Sequence, residues 1–223
     1  MQFNSGRCSA RLRAALGVTL VILGVTFAQE LGWSQGMAGA PPFDDSALRF
    51  ALERIVRWHA MHDAETVHGL RPGLSRDGLA HMLGRLPCRL PREVQSLYLW
   101  HDGISAVDSE FIWYHYFPSL DRALQNYERL VRDGLLRSDE FPVLEFDGEY
   151  YVVHCGPDIV DTSPVWYVFH NPERHINYVS FTAFMQTAAE WYETGAAQAT
   201  DLRQLRDIHQ RHNPGATFPY AVK

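Results

Sequence analysis

Among the kinds of functional site that the sequence could form, a metal site has the most candidate residues, because the chain has eleven histidines. His59 and His62 lie three residues apart in a segment with helical spacing, and Asp63 follows directly. Two imidazoles at this spacing face one side of a helix and can share an ion, but zinc sites need three or four converging ligands. The alternative is that His59 packs beside Trp58 and the other imidazoles are solvated. We therefore predict no cofactor, and keep His59, His62 and Asp63 as weak metal candidates.

Sequence motifs for nucleophilic catalysis and nucleotide binding are absent. The chain contains no GxSxG, HExxH, GxxxxGK[ST] or GxGxxG pattern. Cys155 follows His154, but adjacent residues of a strand point to opposite faces of the sheet and cannot form a catalytic dyad. The sequence thus predicts a binding protein without catalytic residues.

Acidic side chains in predicted loops, with a nearby aromatic residue, are the candidates for partner binding. Carboxylates on turns are poorly placed for glycoside chemistry, which needs two acids across a cleft. They are either simply solvated or face a basic protein. The candidate set is Asp102, Asp108, Glu110, Trp113, Asp147, Glu149, Asp158 and Asp161.

The charge balance favours a protein partner over nucleic acid. The formal net charge is −6 over 223 residues, and it becomes −9 if the three arginines before residue 28 are removed. An acidic surface repels phosphate backbones and attracts basic proteins. The alternative is that the charge only maintains solubility.

The first 28 residues have the pattern of a secretory signal. Arg7, Arg11 and Arg13 precede an uncharged segment from Ala14 to Gln29, and small residues stand before a cleavage point at Ala28. The same segment, extended over residues 14–33, is marginally long enough for a membrane anchor. Both interpretations place the rest of the chain outside the cytoplasm, in the periplasm or attached to the cell envelope. A mispredicted start codon would instead leave the protein cytoplasmic.

Two cysteines remain after a signal is removed. Cys88 and Cys155 could pair in an oxidising compartment, or both could be buried free thiols. The sequence does not show whether their Cα atoms approach closely enough for a bond.

The remaining chain predicts helices, a strand, a helix, a strand meander and further helices. Serines at 75, 119 and 180 are placed to cap helices, and a helix with an apolar stripe covers residues 46–62. Asp147-Gly148 between β-rich segments predicts a tight hairpin, and strands are expected at 165–169 and 176–179. The aromatic segment 111–117 also predicts a strand. This order indicates an α+β fold with an antiparallel or mixed sheet flanked by helices.

The segment from Leu90-Pro91 to Asp102-Gly103 resembles the helix that opens the core of the SUKH superfamily, the Smi/Knr-type proteins. The later elements agree in order over residues 46–195, including the 147–148 hairpin and the helix after Ser180. The resemblance implies a non-catalytic α+β domain in which Leu90, Pro91, Trp100 and Gly103 have structural roles. Many bacterial members are immunity proteins that neutralise toxin domains, and fungal members are cell-wall scaffolds.

We therefore expect a signal or anchor over residues 1–28, a linker over 29–43, a SUKH-like domain over 44–212 and a loose tail over 213–223. The expected function is binding and neutralising a basic toxin domain, as in toxin–antitoxin systems. An export signal is unusual for such a protein, so the alternatives are an envelope scaffold and a metal-dependent envelope enzyme.

Overall fold

The computed structural model describes residues 43–105, 109–169, 174–196 and 202–219. The predictions for the signal, the anchor and most of the linker fall on residues 1–42 and lie outside the described residues. Within the described residues, helices and antiparallel sheets coexist, so the α+β prediction is confirmed. None of the helices in these ranges is both long enough and apolar enough to cross a bilayer.

The described residues form seven helices and six strands. The helices are α1 Ser46–His62, α2 Ala64–His68, α3 Arg76–Leu83, α4 Arg92–Trp100, α5 Leu120–Arg132, α6 Phe181–Glu193 and α7 Leu202–His212. The strands are β1 Leu70–Pro72, β2 His101–Ile104, β3 Glu140–Phe146, β4 Glu149–His154, β5 Val165–Val168 and β6 Ile176–Tyr178.

Local signals determine several helix starts. The hydroxyl oxygens of Ser75, Ser119 and Ser180 each accept a hydrogen bond from the backbone N–H three residues later, as the sequence predicted. This bond satisfies one of the N–H groups that a helix leaves unpaired at its first turn. Pro91 is the N-cap residue of α4.

The main sheet is an antiparallel meander in the order β3-β4-β5-β6. The β3–β4 turn is the predicted hairpin, and both of its central residues have positive φ, 37° at Asp147 and 85° at Gly148. A second sheet, the short β1–β2 pair, was not anticipated. The core lies between the main sheet and the helices, with α5 packed against β3 and α1 packed against α6.

A buried carboxylate joins α4 to the start of α6. Glu93 is fully buried, and its oxygens accept hydrogen bonds from the N–H groups of Ser163, Phe181 and Thr182 and from the Thr182 hydroxyl, at 2.8–3.0 Å. Burial raises the pKa of Glu93, while these donors favour its charged form. The side chain thereby occupies the N-terminus of α6, where unpaired N–H groups attract negative charge.

Gly103 lies where α5 begins to pack against β2. Its φ is +77°, and a Cβ atom at this position would lie 2.4 Å from the backbone nitrogen of Ser119. Only glycine fits such a site without displacing backbone. Helix α4 ends before it, at Trp100, and Gly103 belongs to β2.

Cys88 and Cys155 are joined by a disulfide, with their Cα atoms 5.4 Å apart. The sequence allowed either a disulfide or two buried free thiols, and the structure has the disulfide. It links the segment before α4 to the residue that follows β4. The sulfur of Cys155 is consequently not a thiol nucleophile.

Two sequence predictions are wrong. Residues 111–117 do not form a strand but an irregular segment with isolated bridges, because Trp113 turns the chain with a φ of 53°. Residues 213–219 are not a loose tail. Asn213 is fully buried, and the N–H of Thr217 donates to the carbonyl oxygen of Ile176 at 2.7 Å, which ties this segment to β6.

Candidate functional site

A cavity of about 760 Å³ lies among the described residues. Its volume falls in the range of small-ligand sites, roughly 300–1,000 Å³. Helices α1, α6 and α7, strands β4 and β5 and the irregular segment before α5 contribute to its walls. The lining residues are Trp58, His59, Asp63, Glu110, Trp113, Tyr114, His115, Glu149, Tyr151, Tyr167, Trp191, Tyr192, Leu202, Leu205 and Pro219.

The irregular segment is held in a tight turn that brings its side chains to the cavity. The N–H of Phe111 donates to the carbonyl oxygen of His115 at 2.8 Å, and the N–H of His115 donates to the carbonyl oxygen of Ile112 at 2.9 Å. The N–H of Trp113 donates to the hydroxyl of Tyr192 at 2.7 Å. Positive φ is uncommon for a bulky residue such as Trp113, so these contacts with α6 must stabilise it.

Aromatic rings make up most of the wall. Trp58 stacks on Tyr192 with centroids 4.3 Å apart, and Trp113 lies 4.5 Å from Trp191. Tyr114 is 64% exposed, which places the cavity at the protein surface. Large aromatic surfaces of this kind are enriched at sites that bind proteins and ligands.

His59 is buried and contributes an uncharged imidazole. Its Nε2 donates a hydrogen bond to the carbonyl oxygen of Phe111 at 3.0 Å, so this nitrogen carries the proton. Burial lowers the pKa of His59, which keeps the ring neutral near pH 7. The other nitrogen, Nδ1, is then an acceptor, and it has no hydrogen-bond partner among the described residues.

His115 is a second buried imidazole in the wall. It is 5% exposed, and its ring lies 4.6 Å from that of Tyr151. Burial lowers the pKa of His115 to about 4, so the ring is neutral at physiological pH. The Ile112 backbone opposes this lowering of the pKa, but no hydrogen bond of good geometry reaches either ring nitrogen in the part of the chain that the structure describes. Such groups are rare in folded proteins and require explanation.

Three carboxylates give the cavity its charge. The hydroxyl of Thr66 donates to Asp63 at 2.6 Å and lowers the pKa of that carboxyl. Burial, followed by the nearby negative charge of Asp63, raises the pKa of Glu110. Glu149 is the third acid. Among the described residues that line the cavity there is no lysine or arginine, so the site has a negative potential.

The predicted partner-binding residues divide between this cavity and other surfaces. Glu110, Trp113 and Glu149 come together in its wall, although the first and last of them are 39 positions apart in sequence. The others lie elsewhere. Asp147 and Asp158 are exposed outside the lining, Asp102 accepts a hydrogen bond from the N–H of Leu120, and Asp161 pairs with Arg92 at 2.7 Å. Asp108 lies outside the described residues.

The weak metal candidates do not assemble. His62 stacks on Trp58 at 4.3 Å, and its Nδ1 lies 2.8 Å from the Trp58 carbonyl oxygen. Asp63 is engaged by Thr66, and one nitrogen of His59 by Phe111. Over the ranges that the structure describes, no three His, Cys, Asp or Glu side chains are grouped so as to hold a metal ion. His209, in α7, is buried with Nε2 2.6 Å from the Asn177 carbonyl oxygen.

Sequence reasoning missed the residues that join α1 to the cavity. Trp58 and His59 were assigned to packing or metal binding, and Tyr114, His115 and Tyr192 were not singled out. The sequence signal for these residues is the density of aromatic side chains in segment 111–117, which also favours a strand. The lining residues combine chemistry for binding, with aromatic faces, carboxylates and neutral imidazoles.

Comparison with protein-family models finds no matching family, and comparison with curated proteins finds no match.

Proposed function

We propose that the chain is a non-catalytic protein-binding domain of the immunity type, which binds and neutralises a basic toxin domain. The observation that carries this proposal is the cavity in which Asp63, Glu110 and Glu149 accompany exposed and half-exposed aromatic rings. A basic segment of a partner complements both features, because acids set orientation and encounter rate while aromatic surfaces supply most of the binding energy.

The resemblance to the SUKH superfamily also supports this function. Its motif residues have the surroundings expected of structural positions: Leu90 is 1% exposed, Pro91 caps α4 and Gly103 occupies a site that admits no side chain. Because the resemblance assigns no catalytic residues, a binding role is the activity that it favours.

The disulfide supports an exported location. Bonds of this kind persist in the periplasm and on cell surfaces and are rare in the reducing cytoplasm. An exported immunity domain would protect the cell from a toxin that acts in the envelope. The same observation favours a second candidate, an envelope scaffold held by residues 14–33.

The test is capture of partners by the tagged full chain in its native cells, with mild crosslinking and quantitative mass spectrometry. The test variant is Glu110→Gln with Glu149→Gln, which removes two cavity charges. The matched control is Asp77→Asn with Asp133→Asn, which removes two exposed acids outside the cavity. We expect one basic protein at near-equal amount with the native chain and the control, and its loss with the test variant.

Toxicity separates immunity from scaffolding. An immunity role predicts that a domain of the captured protein arrests growth when expressed alone, and that co-expression of this chain restores growth. A captured protein that is harmless alone would support the scaffold. If no protein depends on Glu110 and Glu149, the proposal that the cavity binds a basic partner is wrong.

A further inference from the structure

We propose that the cavity binds a primary alkylammonium group, such as the end of a lysine side chain. This inference rests on the proposed function, because it names the chemical group that the partner inserts. The shared chemistry is an N–H-bearing cation on an aliphatic stem. Its source in this proposal is a lysine side chain of the protein partner, and a free alkylamine is the alternative that the experiment distinguishes.

The aromatic wall suits a cation with an apolar stem. Seven of the fifteen lining residues are Trp or Tyr. The quadrupole of an aromatic ring attracts a cation over its face, and tryptophan does so most strongly. Trp58 and Trp113 are half-buried and Tyr114 is 64% exposed, so these rings present surface to a ligand, while the buried rings of Tyr192 and Trp191 pack against Trp58 and Trp113. A methylene stem would pack on the same rings.

The charge of the wall selects a cation over an anion or a neutral group. Asp63 and Glu110 influence each other electrostatically, and Glu149 adds a third carboxyl. None of the described lining residues is a lysine or arginine that could neutralise them. His59 and His115 are uncharged. A ligand ammonium would relieve the repulsion between Asp63 and Glu110, which a neutral ligand leaves in place.

The carboxylates favour a cation that donates hydrogen bonds. A primary ammonium has three N–H donors, enough for two carboxylates together, whereas a quaternary ammonium has none. The unpartnered ring nitrogens of His59 and His115 have almost no accessible surface, so the imidazoles shape the wall and do not contact the ligand through these atoms.

The experiment measures the affinities of two cations and their neutral counterparts for the full chain, by calorimetry and ligand-observed NMR. Nα-acetyl-lysine methylamide is compared with the norleucine analogue, which has the same backbone and an uncharged stem. n-Butylammonium is compared with butan-1-ol. We expect each cation to bind about tenfold or more tightly than its neutral counterpart. Binding of the lysine derivative at least as tight as that of butylammonium supports a protein side chain as the source, whereas clearly tighter binding of butylammonium would assign a free amine and overturn the lysine as the source.

Two double variants test whether the cations bind in the cavity. Glu110→Gln with Glu149→Gln keeps the shapes of both side chains and should weaken cation binding about tenfold, while Asp77→Asn with Asp133→Asn should leave it within about twofold. Circular dichroism and thermal melting establish that both variants fold. Equal affinities for cations and neutral analogues, or equal cation binding by both variants, would overturn the inference. If a basic partner depends on Glu110 and Glu149 but no alkylammonium binds, this inference fails and the proposed function stands.

Discussion

The buried imidazole of His115 makes the protein sensitive to mild acid. Its pKa is about 4 in the fold and near 6.5 for an exposed histidine, so between these values the unfolded chain takes up a proton that the folded chain refuses. A base whose pKa is lowered by folding destabilises the fold as pH falls. The loss begins near pH 6.5 and stops near pH 4, below which both states carry the proton.

The magnitude follows from the two pKa values. At pH 5 the unfolded state gains about 2 kcal/mol from protonation of this one side chain, relative to pH 8. The predicted substitution is His115→Leu, which has similar volume and cannot titrate. We expect the free energy of unfolding of the native chain to fall by about 2 kcal/mol more than that of the variant between pH 8 and pH 5.

The assay is urea unfolding, followed by circular dichroism at half-unit pH steps. Other titrating groups contribute equally to the pH dependence of both chains, so their effects cancel in the comparison. Glu93 is one such group, and its raised pKa makes the fold more stable as pH falls. His68→Gln, at an exposed helix end, is the control and should keep the native pH dependence. If the native chain and the His115→Leu variant lose stability over this pH range to within about 0.5 kcal/mol of each other, the conclusion that burial keeps this imidazole neutral is refuted.

Three further predictions concern stability. Glu93→Gln should lower the free energy of unfolding by about 3 kcal/mol, because an amide N–H group would then face buried N–H donors. A loss below about 1 kcal/mol in urea unfolding would contradict the role given to this carboxylate. Replacing Cys88 and Cys155 by serine should remove about 4 kcal/mol, since the bond closes a loop across 67 positions of sequence, and an unchanged unfolding midpoint would argue against the pairing. Gly103→Ala should cost about 3 kcal/mol in thermal melting, whereas Gly134→Ala, with similar φ but open space, should cost about 1 kcal/mol. Equal costs would show that the close approach at position 103 does not matter.

Features that depend on neighbouring residues could be predicted from the sequence. The serine caps and the Asp147-Gly148 hairpin follow from hydrogen bonds and dihedral angles within four residues. The apolar stripe of α1 predicted a helix for the same reason. The α+β class then followed from the order of these elements.

Features that depend on contacts between residues far apart in the sequence could not be predicted from it. Segment 111–117 is rich in residues that favour strands, but the contact of Trp113 with Tyr192 in α6, 79 residues away, decides its conformation. His59 was open to several interpretations because its partner Phe111 lies 52 residues further along the chain. The cavity joins seven separate parts of the sequence, so its lining residues could not be predicted from local patterns.

The disulfide divides the cavity wall by chain connectivity. Glu110 to His115, Glu149 and Tyr151 lie inside the covalent loop, whereas the contributions of α1, α6 and α7 lie outside it. Under tension applied to the chain ends, the oxidised protein can release only the segments outside the loop. The loop, which would span about 230 Å if fully extended at roughly 3.4 Å per residue, cannot extend while the disulfide is intact. Mechanical unfolding of the oxidised protein would therefore separate the lining residues outside the loop from those inside it. Reduction of the disulfide would then allow the loop to extend as well, which would appear as additional contour length.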